Sequence, residues 1–288
     1  MATTNDQHYS SLFTTGFIQL SQQKKPKLQM AVMNDMQSDE YNYYNQIGTV
    51  ASTAVTVRNT DTVQNAVTHY RRQLGVAAKA ITIWLDRIDS LKMVADPSES
   101  YLQAAVQRKG RDIDDVIITA FTAAAATGKA GGDSTVYDTS MTVASGSTGM
   151  TIAKIQTAKL NLDTNEVDEE GRYMAMTSRQ VNDLLTDTKT TSSDFVAVQN
   201  LMAGTIDEFY GFTIIKSQRL AVASSVRSCP YWHKSAMMFA EGKDKLGPET
   251  IISRRDDKNN LQQIQLFYQI GATRLEEAAV GIIEAIES

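Results

Sequence analysis

The chain has 288 residues, of which 42% are hydrophobic and only four are proline, so it is long and apolar enough to fold around one large core or two smaller ones. Its net charge of −5 implies no broad basic surface for nucleic acid, and its single cysteine, Cys229, excludes an internal disulfide framework and is typical of a reducing compartment. The polar N-terminus lacks a signal-peptide core and no run of eighteen apolar residues occurs, so we expect neither secretion nor membrane insertion.

Residues 1–48 are rich in Gln, Asn, Ser and Tyr and have no sustained hydrophobic period, which predicts an extended N-terminal arm. The arm contains one dense basic cluster, made of Lys24, Lys25 and Lys27. Such a cluster is typical of a solvated surface, and it is also able to contact a phosphate backbone without reading its sequence.

The segment from Thr49 to Leu74 is rich in threonine and valine, which favour strands, and Asn59-Thr60-Asp61 is able to reverse the chain. We therefore predict a β-hairpin over residues 50–74. Because an isolated two-stranded ribbon is only marginally stable in water, this hairpin must pack on another surface. Neighbouring copies of the same chain are the expected support.

The stretch Asp96–Gly128 predicts a long helix that would span about 45 Å. Asp96 is a suitable N-cap, Pro97 fits the first helical position, and Glu99 completes a capping box. Gly110 interrupts the pattern and predicts a bend or a close backbone contact.

The two faces of this helix differ in character. We expect the apolar face to lie on the core, because its residues recur at spacings of three, four and seven: Leu102, Val106, Ile113, Val116, Ile117 and Phe121. On the charged face, Arg108 with Asp112 and Arg111 with Asp115 lie four residues apart and are expected to form ion pairs.

The rest of the chain predicts an α+β layout in which short helices and strands follow one another. Val181, Leu184 and Leu185 are expected to face inward from one of these helices. The predicted elements are a helix at Thr151–Asn165, a strand at Tyr173–Met176 that turns into a helix, a strand pair at 206–216, a strand at Lys234–Ala240, a hairpin of Glu249–Arg255 with Leu261–Ile270, and a closing strand at Ala278–Ile286.

No motif of the sequence predicts a catalytic, cofactor or metal site. The three histidines are far apart and have no Cys or carboxylate at ligand spacing, so a zinc site is not supported. Cys229 and His233 are four residues apart and suit a thiolate pair, although an inert cysteine beside a surface histidine is the commoner arrangement. Gly128-Lys129 lacks the first glycine and the Ser or Thr of a phosphate loop.

Asp86 and Asp89 lie three apart and suit an acid–base pair or a cation, but the sequence supplies no third ligand, so we interpret them as partners in surface ion pairs. The SGSTG segment at 145–149 has no nucleophile-elbow setting and is interpreted as a turn.

From about residue 45 onward the chain resembles the major capsid proteins of tailed bacteriophages, which have the Hong Kong 97-type fold. The resemblance lies in the order and spacing of several segments rather than in signature motifs. The segments are RNTDT (58–62), HYRRQL (69–74), WLDRIDSLKMVADPSESYLQAAVQRKGRDIDDVII (84–118), GRYMAMTSRQVNDLL (171–185), GTIDEFYGFTIIKSQRL (204–220) and GATRLEEAAVGIIEAI (271–286).

The resemblance implies a division of the chain into four parts. They are an N-terminal arm at 1–48, an extended loop (the hairpin) at 49–88, a peripheral domain at 89–130 and 243–274 that holds the long spine helix, and an axial domain at 131–242 and 275–288.

The resemblance also implies a structural role without cofactor or catalytic site. Copies of the chain would form hexamers and pentamers that close into an icosahedral virion shell around double-stranded DNA, after assembly in the host cytoplasm. Portal, scaffolding and possible decoration proteins would be partners. No helical scaffolding segment precedes the arm, so scaffolding is expected from a separate protein or a removed propeptide. No lysine–asparagine pair for covalent crosslinking is recognised.

Inter-subunit ion pairing is expected, from the exposure patterns and not from family sites, at the charged residues of the hairpin and around the spine: Arg58, Arg71, Arg72, Asp86, Asp89, Arg108, Arg111, Asp112, Asp114 and Asp115.

Two alternatives remain at this stage. An encapsulin-type bacterial nanocompartment would have the same fold and would enclose enzyme cargo instead of a genome. An unrecognised α+β enzyme would use the pair Asp86/Asp89 or the pair Cys229/His233 as its site.

Overall fold

The computed structural model describes residues 20–59, 61–86, 98–186, 208–243, 247–258 and 260–287. These residues form three β-sheets. They also form three α-helices, which are Ser98–Thr122 (α1), Ile152–Thr164 (α2) and Ser178–Thr186 (α3).

The first sheet is organised around a long central strand. Its members are Met33–Gln37 (β1), Ala77–Leu85 (β4), Met237–Gly242 (β13), Glu249–Arg255 (β14) and Leu261–Arg274 (β15). Strand β4 pairs with one edge of β15, and β14 and β13 pair with successive stretches of the other edge. Strand β1 then pairs in parallel with β13, so a strand of the N-terminal arm closes this sheet.

The second sheet lies in the order β7, β16, β12, β8, β10 and β9, with β11 paired to the start of β12. Its strands are Thr142–Val143 (β7), Arg172–Met176 (β8), Glu208–Phe209 (β9), Phe212–Lys216 (β10), Val222–Ala223 (β11), Val226–His233 (β12) and Val280–Ile286 (β16). Helix α2 packs near β16, and α3 follows β8 after one residue.

The third sheet is small and joins the hairpin to the body. It consists, in spatial order, of Tyr41–Ile47 (β2), His69–Gly75 (β3), Ala125–Thr127 (β5) and Asp133–Thr135 (β6). Because β3 is followed after one residue by β4, the same stretch of chain leads from the hairpin into the first sheet.

One hydrophobic core connects α1, the two large sheets and the arm. Trp232 of β12 lies at its centre, with its ring centroid 4.7 Å from that of Phe121, and its indole N–H donates to the carbonyl of Ala31 at 2.8 Å. Leu28, Ala31 and Val32 are fully buried, so this part of the arm belongs to the subunit core.

The long helix is confirmed for Ser98–Thr122, whereas its predicted capping residues Asp96 and Pro97 lie outside the described residues. The predicted end was too late, because Ala125–Thr127 pairs as a strand with β3 and β6. Val106 was expected to lie on the core and is instead 52% exposed, while Ala105 beside it is buried.

Most of the later elements are confirmed. The helix at 151–165 begins and ends within one residue of the prediction, with Thr151 as N-cap and Asn165 as C-cap. The strand–helix unit at 172–186, the hairpin of β14 with β15, and the closing strand are present, and β15 continues four residues further than predicted. The strand predicted at Lys234–Ala240 begins later, at Met237, because Lys234–Ala236 forms a 3-10 turn.

Candidate assembly surfaces

The protruding part of the extended loop, residues Gly48–Thr68 and hereafter called the loop, continues from the hairpin formed by β2 and β3. These two strands pair from Tyr41 opposite Gly75 to Ile47 opposite His69. Beyond them only one backbone hydrogen bond, from Gly48 N–H to the Thr68 carbonyl at 2.8 Å, continues the ladder within the described residues. The hairpin was predicted over 50–74, but the paired strands are residues 41–47 and 69–75. No described residue from 49 to 67 belongs to a strand.

The loop turns where the sequence predicts a reversal. Asn59 has a φ of +58°, a left-handed conformation that asparagine tolerates better than most residues. One side-chain hydrogen bond, between Thr53 Oγ1 and Asn65 Oδ1 at 2.9 Å, joins the two limbs of the loop. Arg58 is exposed at the turn.

Apolar side chains of the loop face solvent. Every described residue from 49 to 68 is exposed except Asn65. The loop carries five valines, and Val55 is 78% exposed. The exposed set is Val50, Val55, Val57, Val63 and Val67. A concentration of exposed aliphatic side chains on one protruding segment is typical of a surface that another molecule covers.

A buried charged network fixes the base of the hairpin. Arg72 of β3 is 6% exposed and donates to the Leu275 carbonyl at 3.0 Å, to Thr135 Oγ1 at 2.7 Å and to Glu277. Arg274, which is fully buried, lies 3.4 Å from the other oxygen of Glu277. The base of the hairpin is therefore tied to the sheet beside it and to the turn after β15.

The same network reaches the end of the spine helix. Arg274 donates to the carbonyls of Phe121 and Ala123 at 2.8 and 3.1 Å, and so satisfies carbonyl groups that the end of α1 leaves without helical partners. Burial lowers the pKa of Arg274, with Glu277 acting in the opposite direction. Arg72 and Arg274 together hold the hairpin base, the helix end and the last turn in one arrangement.

Arg71, next to the buried Arg72, is half-buried at the base of the hairpin. It donates to Asn45 Oδ1 at 2.8 Å, and its guanidinium lies 5.6 Å from the centre of the Tyr43 ring. It also lines a cleft of about 870 Å³ between the hairpin base and the turn after β15. Ile47 and Tyr70, which line the same cleft, are 70% and 56% exposed, so the cleft has both apolar and charged walls.

The acidic residues of α1 contact three different parts of the same subunit. Asp112 accepts a hydrogen bond from Tyr268 of β15 at 2.5 Å and pairs with Arg108 at 2.8 Å, as predicted for that pair. Lys79 of β4 lies 3.8 Å away. Burial and the bond to Asp112 raise the pKa of Tyr268, so its hydroxyl remains a donor.

Asp114 is fully buried and binds the arm, accepting hydrogen bonds from the backbone N–H groups of Lys27 and Leu28, each at 3.0 Å. Asp115 instead binds Arg219, which follows β10. The predicted pair of Asp115 with Arg111 is therefore wrong, because Arg219 occupies both carboxylate oxygens.

The other charged candidates differ in their surroundings. Arg108 is half exposed on the spine. The Nε of Arg111 is buried and has no hydrogen-bond partner among the described residues. Asp86 is half-buried after β4, and Asp89 lies outside the described residues. The structure thus brings Asp112, Asp114 and Asp115 together along one helix but directs each to an intrachain partner.

The alternative thiolate pair does not form. Cys229 and His233 both belong to β12, where four residues span about 13 Å. Burial raises the pKa of Cys229 to about 12, so it remains a protonated thiol at neutral pH. The His233 ring is bound on both sides, to Ser235 Oγ at 2.7 Å and to the Glu170 carbonyl at 2.8 Å.

The two glycine-containing segments have structural roles. Gly128-Lys129 belongs to the turn that joins β5 to β6, whereas a phosphate loop precedes a helix. The segment at 145–149 wraps around the buried ammonium of Lys154, whose Nζ lies 2.7–3.0 Å from four carbonyl oxygens: those of Ser145, Thr148, Gly149 and Glu284. Burial lowers the pKa of Lys154.

Neither a metal-binding cluster nor a membrane-spanning helix is found among the described residues. Within those ranges, no group of three or more His, Cys, Asp or Glu side chains is arranged to hold a metal ion. Among the helices of the same part of the chain, none combines the length and the apolar character that a membrane crossing needs.

Several residues that organise these surfaces were missed by the sequence analysis. The partners Arg219, Arg274, Glu277 and Tyr268 lie 104 to 205 residues away from the groups that they bind. No local spacing signals contacts of that separation. For Lys154 the sequence does contain a signal. The residue lies inside the first turn of a predicted helix, where the helix dipole seldom favours a cation.

Comparisons with known proteins agree with this geometry. A model of the family described as phage capsid protein matches residues 6–287. A comparison with curated proteins found no match.

Solved structures similar to this chain come from phage capsids. The capsid of Ralstonia phage GP4 aligns with a TM-score of 0.76 at 11% identity over 100% of this chain and 98% of the other. The Cyanophage Pam1 capsid asymmetric unit gives 0.73 at 12% identity over 99% of both chains. A structure from Mycobacterium phage Che8 gives 0.71 at 16% identity over 96% and 97%. The fold is therefore of the Hong Kong 97 type.

Proposed function

The chain belongs to the phage capsid protein family and is a major capsid protein of a phage head, and from this premise we propose that its copies form hexamers and pentamers that close into an icosahedral shell around double-stranded DNA. The protein assembles into a multi-subunit shell in the virion. Membership of this family does not favour the nanocompartment alternative. It favours a structural role over an enzymatic one, and we propose that the chain has no enzymatic activity.

The observation that carries the proposal is the contrast between the loop and its base. The base is fixed to the subunit by the buried Arg72 and Arg274, whereas the loop above it exposes five valines and lacks a strand partner within the described residues. Because the base is fixed and the loop that projects from it is apolar and uncovered, the loop is suited to contact a neighbouring copy. Repetition of such a heterologous contact around closed symmetry makes a stable shell from individually modest interfaces.

We propose that the chain divides as the resemblance implies, into an arm (1–48), an extended loop (49–88), a peripheral domain (89–130 and 243–274) and an axial domain (131–242 and 275–288). The sheets support this division in outline, because α1 packs on the first sheet and α2 lies by the second. The first sheet also contains strands from the other three parts: β1 from the arm, β4 from the extended loop and β13 from the axial domain.

We further propose that assembly takes place in the host cytoplasm and uses a separate scaffolding protein, a portal and possible decoration proteins. The family membership supports these partners. For contacts between subunits, Arg58 at the loop turn is the candidate that the exposure favours, because Arg71, Arg72, Asp112, Asp114 and Asp115 have partners within their own subunit.

The test replaces residues 50–67, which spares Arg72 and the paired strands. One variant joins Thr49 to Thr68 through a two-residue turn, and a matched variant carries a Gly-Ser linker of the original length. Both are expected to fold, as measured by circular dichroism, and neither is expected to give closed shells in electron micrographs. If the Gly-Ser variant forms normal shells, the side chains of the loop do not make the contact, and if the short variant does so, the loop itself is dispensable.

A further inference from the structure

The arm crosses the spine helix at a site built to receive it. Pro26 lies over Gly110, where a Cβ atom would stand only 3.2 Å from the proline Cδ. The close contact predicted from Gly110 is thus with the arm. Four residues further along the same face of α1, Asp114 accepts the two backbone N–H groups of Lys27 and Leu28.

Asp114 fixes the conformation of this segment as well as its position. The carboxylate also accepts a hydrogen bond from the side-chain amide of Gln23 at 2.5 Å. It is fully buried, and charge-assisted bonds to backbone N–H groups are roughly twice as strong as neutral ones. The segment Gln23–Leu28, which has no regular secondary structure before residue 29, is therefore held by one side chain of the helix.

As a consequence, the three lysines of this segment are held in fixed positions on the subunit surface. Lys24, Lys25 and Lys27 are exposed, and the Lys27 ammonium donates to the Lys216 carbonyl at 2.7 Å, which brings the arm to the end of β10. Arg219 lies three residues further along the chain and pairs with Asp115 of the same helix. We call this surface the basic strip. It contains the exposed lysines Lys24, Lys25 and Lys27 and the half-buried Lys216 and Arg219, while the neighbouring carboxylates Asp114 and Asp115 are bound by the arm and by Arg219.

We propose that the basic strip faces the interior of the shell and contacts the phosphate backbone of the enclosed DNA. This inference rests on the proposed function, in which the shell encloses double-stranded DNA. A chain with a net charge of −5 otherwise repels a polyanion, so a local excess of cations is where DNA would approach most closely. Lysines contact phosphates as point charges and do not require a base sequence, which suits a surface that must accept any genome segment.

Lysine footprinting on heads tests the orientation directly. Filled heads and heads emptied of DNA are treated with a small amine-acetylating reagent, and modification is quantified by mass spectrometry. We expect modification of Lys24 and Lys25 to fall severalfold in filled heads, with no change at Lys129 and Lys258, which are exposed elsewhere. Equal modification in both states, or protection in both, would overturn the proposal, whereas failure to form any heads would count against the proposed function instead.

Charge variants test the chemistry on the full-length subunit before assembly, with a 30-base-pair duplex of random sequence as probe. The double variant Lys24→Gln, Lys25→Gln is compared with Lys129→Gln, Lys258→Gln, which removes the same charge elsewhere. Only the first is expected to weaken binding, and its log K against log salt slope should fall by about 2, since each phosphate contact contributes roughly 0.9. Equal effects of the two variants would show that only net charge matters.

Asp114→Asn separates positioning from charge, because it makes the protein more positive. Net charge alone predicts tighter DNA binding. We expect weaker binding, together with faster tryptic cleavage after Lys24 and Lys27, because the neutral amide no longer holds the arm. Circular dichroism checks that the variant is folded. Tighter binding with unchanged cleavage would refute the positioning role.

Discussion

The extended loop and the spine helix differ in whether their side chains face solvent or bind partners inside the subunit. The loop exposes five valines and lacks strand pairing within the described residues, whereas α1 directs its acidic side chains to partners inside the subunit. Asp112 binds the first sheet, Asp114 binds the arm and Asp115 binds Arg219 after β10. The helix therefore connects three parts of the same subunit, whereas the loop remains available to contact another molecule.

This difference shows that charge on a helix face does not identify an interface. From the sequence alone, Arg72 and Arg58 are equal candidates for inter-subunit pairing, yet Arg72 is 6% exposed and Arg58 is exposed at the loop turn. A charged side chain with an intrachain partner stabilises the subunit, and one without such a partner is available to a neighbour. Substitutions in the two regions should therefore separate subunit stability from assembly.

The largest effect on stability is expected at the base of the hairpin. Arg72→Ala removes three hydrogen bonds and leaves Glu277 facing the buried Arg274 alone, which should lower the free energy of unfolding by about 3 kcal/mol. Urea denaturation of unassembled subunits measures this loss. The matched control is Arg71→Ala, the half-buried neighbour on the same strand, which should cost less than about 1 kcal/mol because its hydrogen bonds to Asn45 and Lys129 lie at the surface. Similar losses for the two variants would contradict the distinction.

A smaller loss is expected within the spine. Asp112→Asn weakens the ion pair with Arg108 and the bond from the Tyr268 hydroxyl, and should cost about 2 kcal/mol, since hydrogen bonds to charged groups contribute roughly 1.5–3 kcal/mol. Asp61→Asn in the exposed loop removes the same charge and should leave the unfolding midpoint almost unchanged. If both variants unfold at the wild-type midpoint, Asp112 does not stabilise the packing of α1 on the first sheet.

Much of the fold was predictable because hydrophobic periodicity and caps are local. The helix after Thr151, the unit from β8 to α3 and the hairpin of β14 with β15 follow from such signals. Strand β12 was missed, since Pro230 discourages a strand prediction. The structure accommodates this proline because pairing with β8 begins only at Tyr231.

The candidate surfaces were less predictable, because their contacts join distant parts of the chain. Periodicity placed Val106 on the same face as Ile113, but it does not show how far along a helix the covering elements extend. Gly110 predicted a close contact without identifying the partner, which is Pro26. The alternation of Ile81 and Ile83 with Thr82 and Trp84 is a local signal for strand β4, which was not among the predicted strands.

Acid sensitivity should arise in the body rather than in the loop. Hydrogen bonds from Arg227 and then from Gln180 lower the pKa of Glu287 from 4.5 to about 2. Because the folded pKa is the lower one, the stabilisation is fully present above about pH 4.5 and is lost as the pH falls toward 2. Glu287→Gln should flatten this part of the stability profile in urea titrations at pH 2 to 6. An unchanged profile would show that the Arg227 pair does not set the acid response.

The smallest effect on the subunit, and a clear one on assembly, is expected from Val55→Ser with Val57→Ser. Both side chains are more than 60% exposed, so their loss should change the free energy of unfolding by less than about 0.5 kcal/mol. If a neighbouring copy covers them, each loses about 1.5 kcal/mol or more of burial per contact, which raises the concentration needed for assembly roughly tenfold per valine. Light scattering against subunit concentration measures this threshold. The exposed pair Val222→Ser with Val136→Ser, outside the loop, is the control, and equal shifts for both pairs would mean that exposure alone, without the loop's position, accounts for the effect.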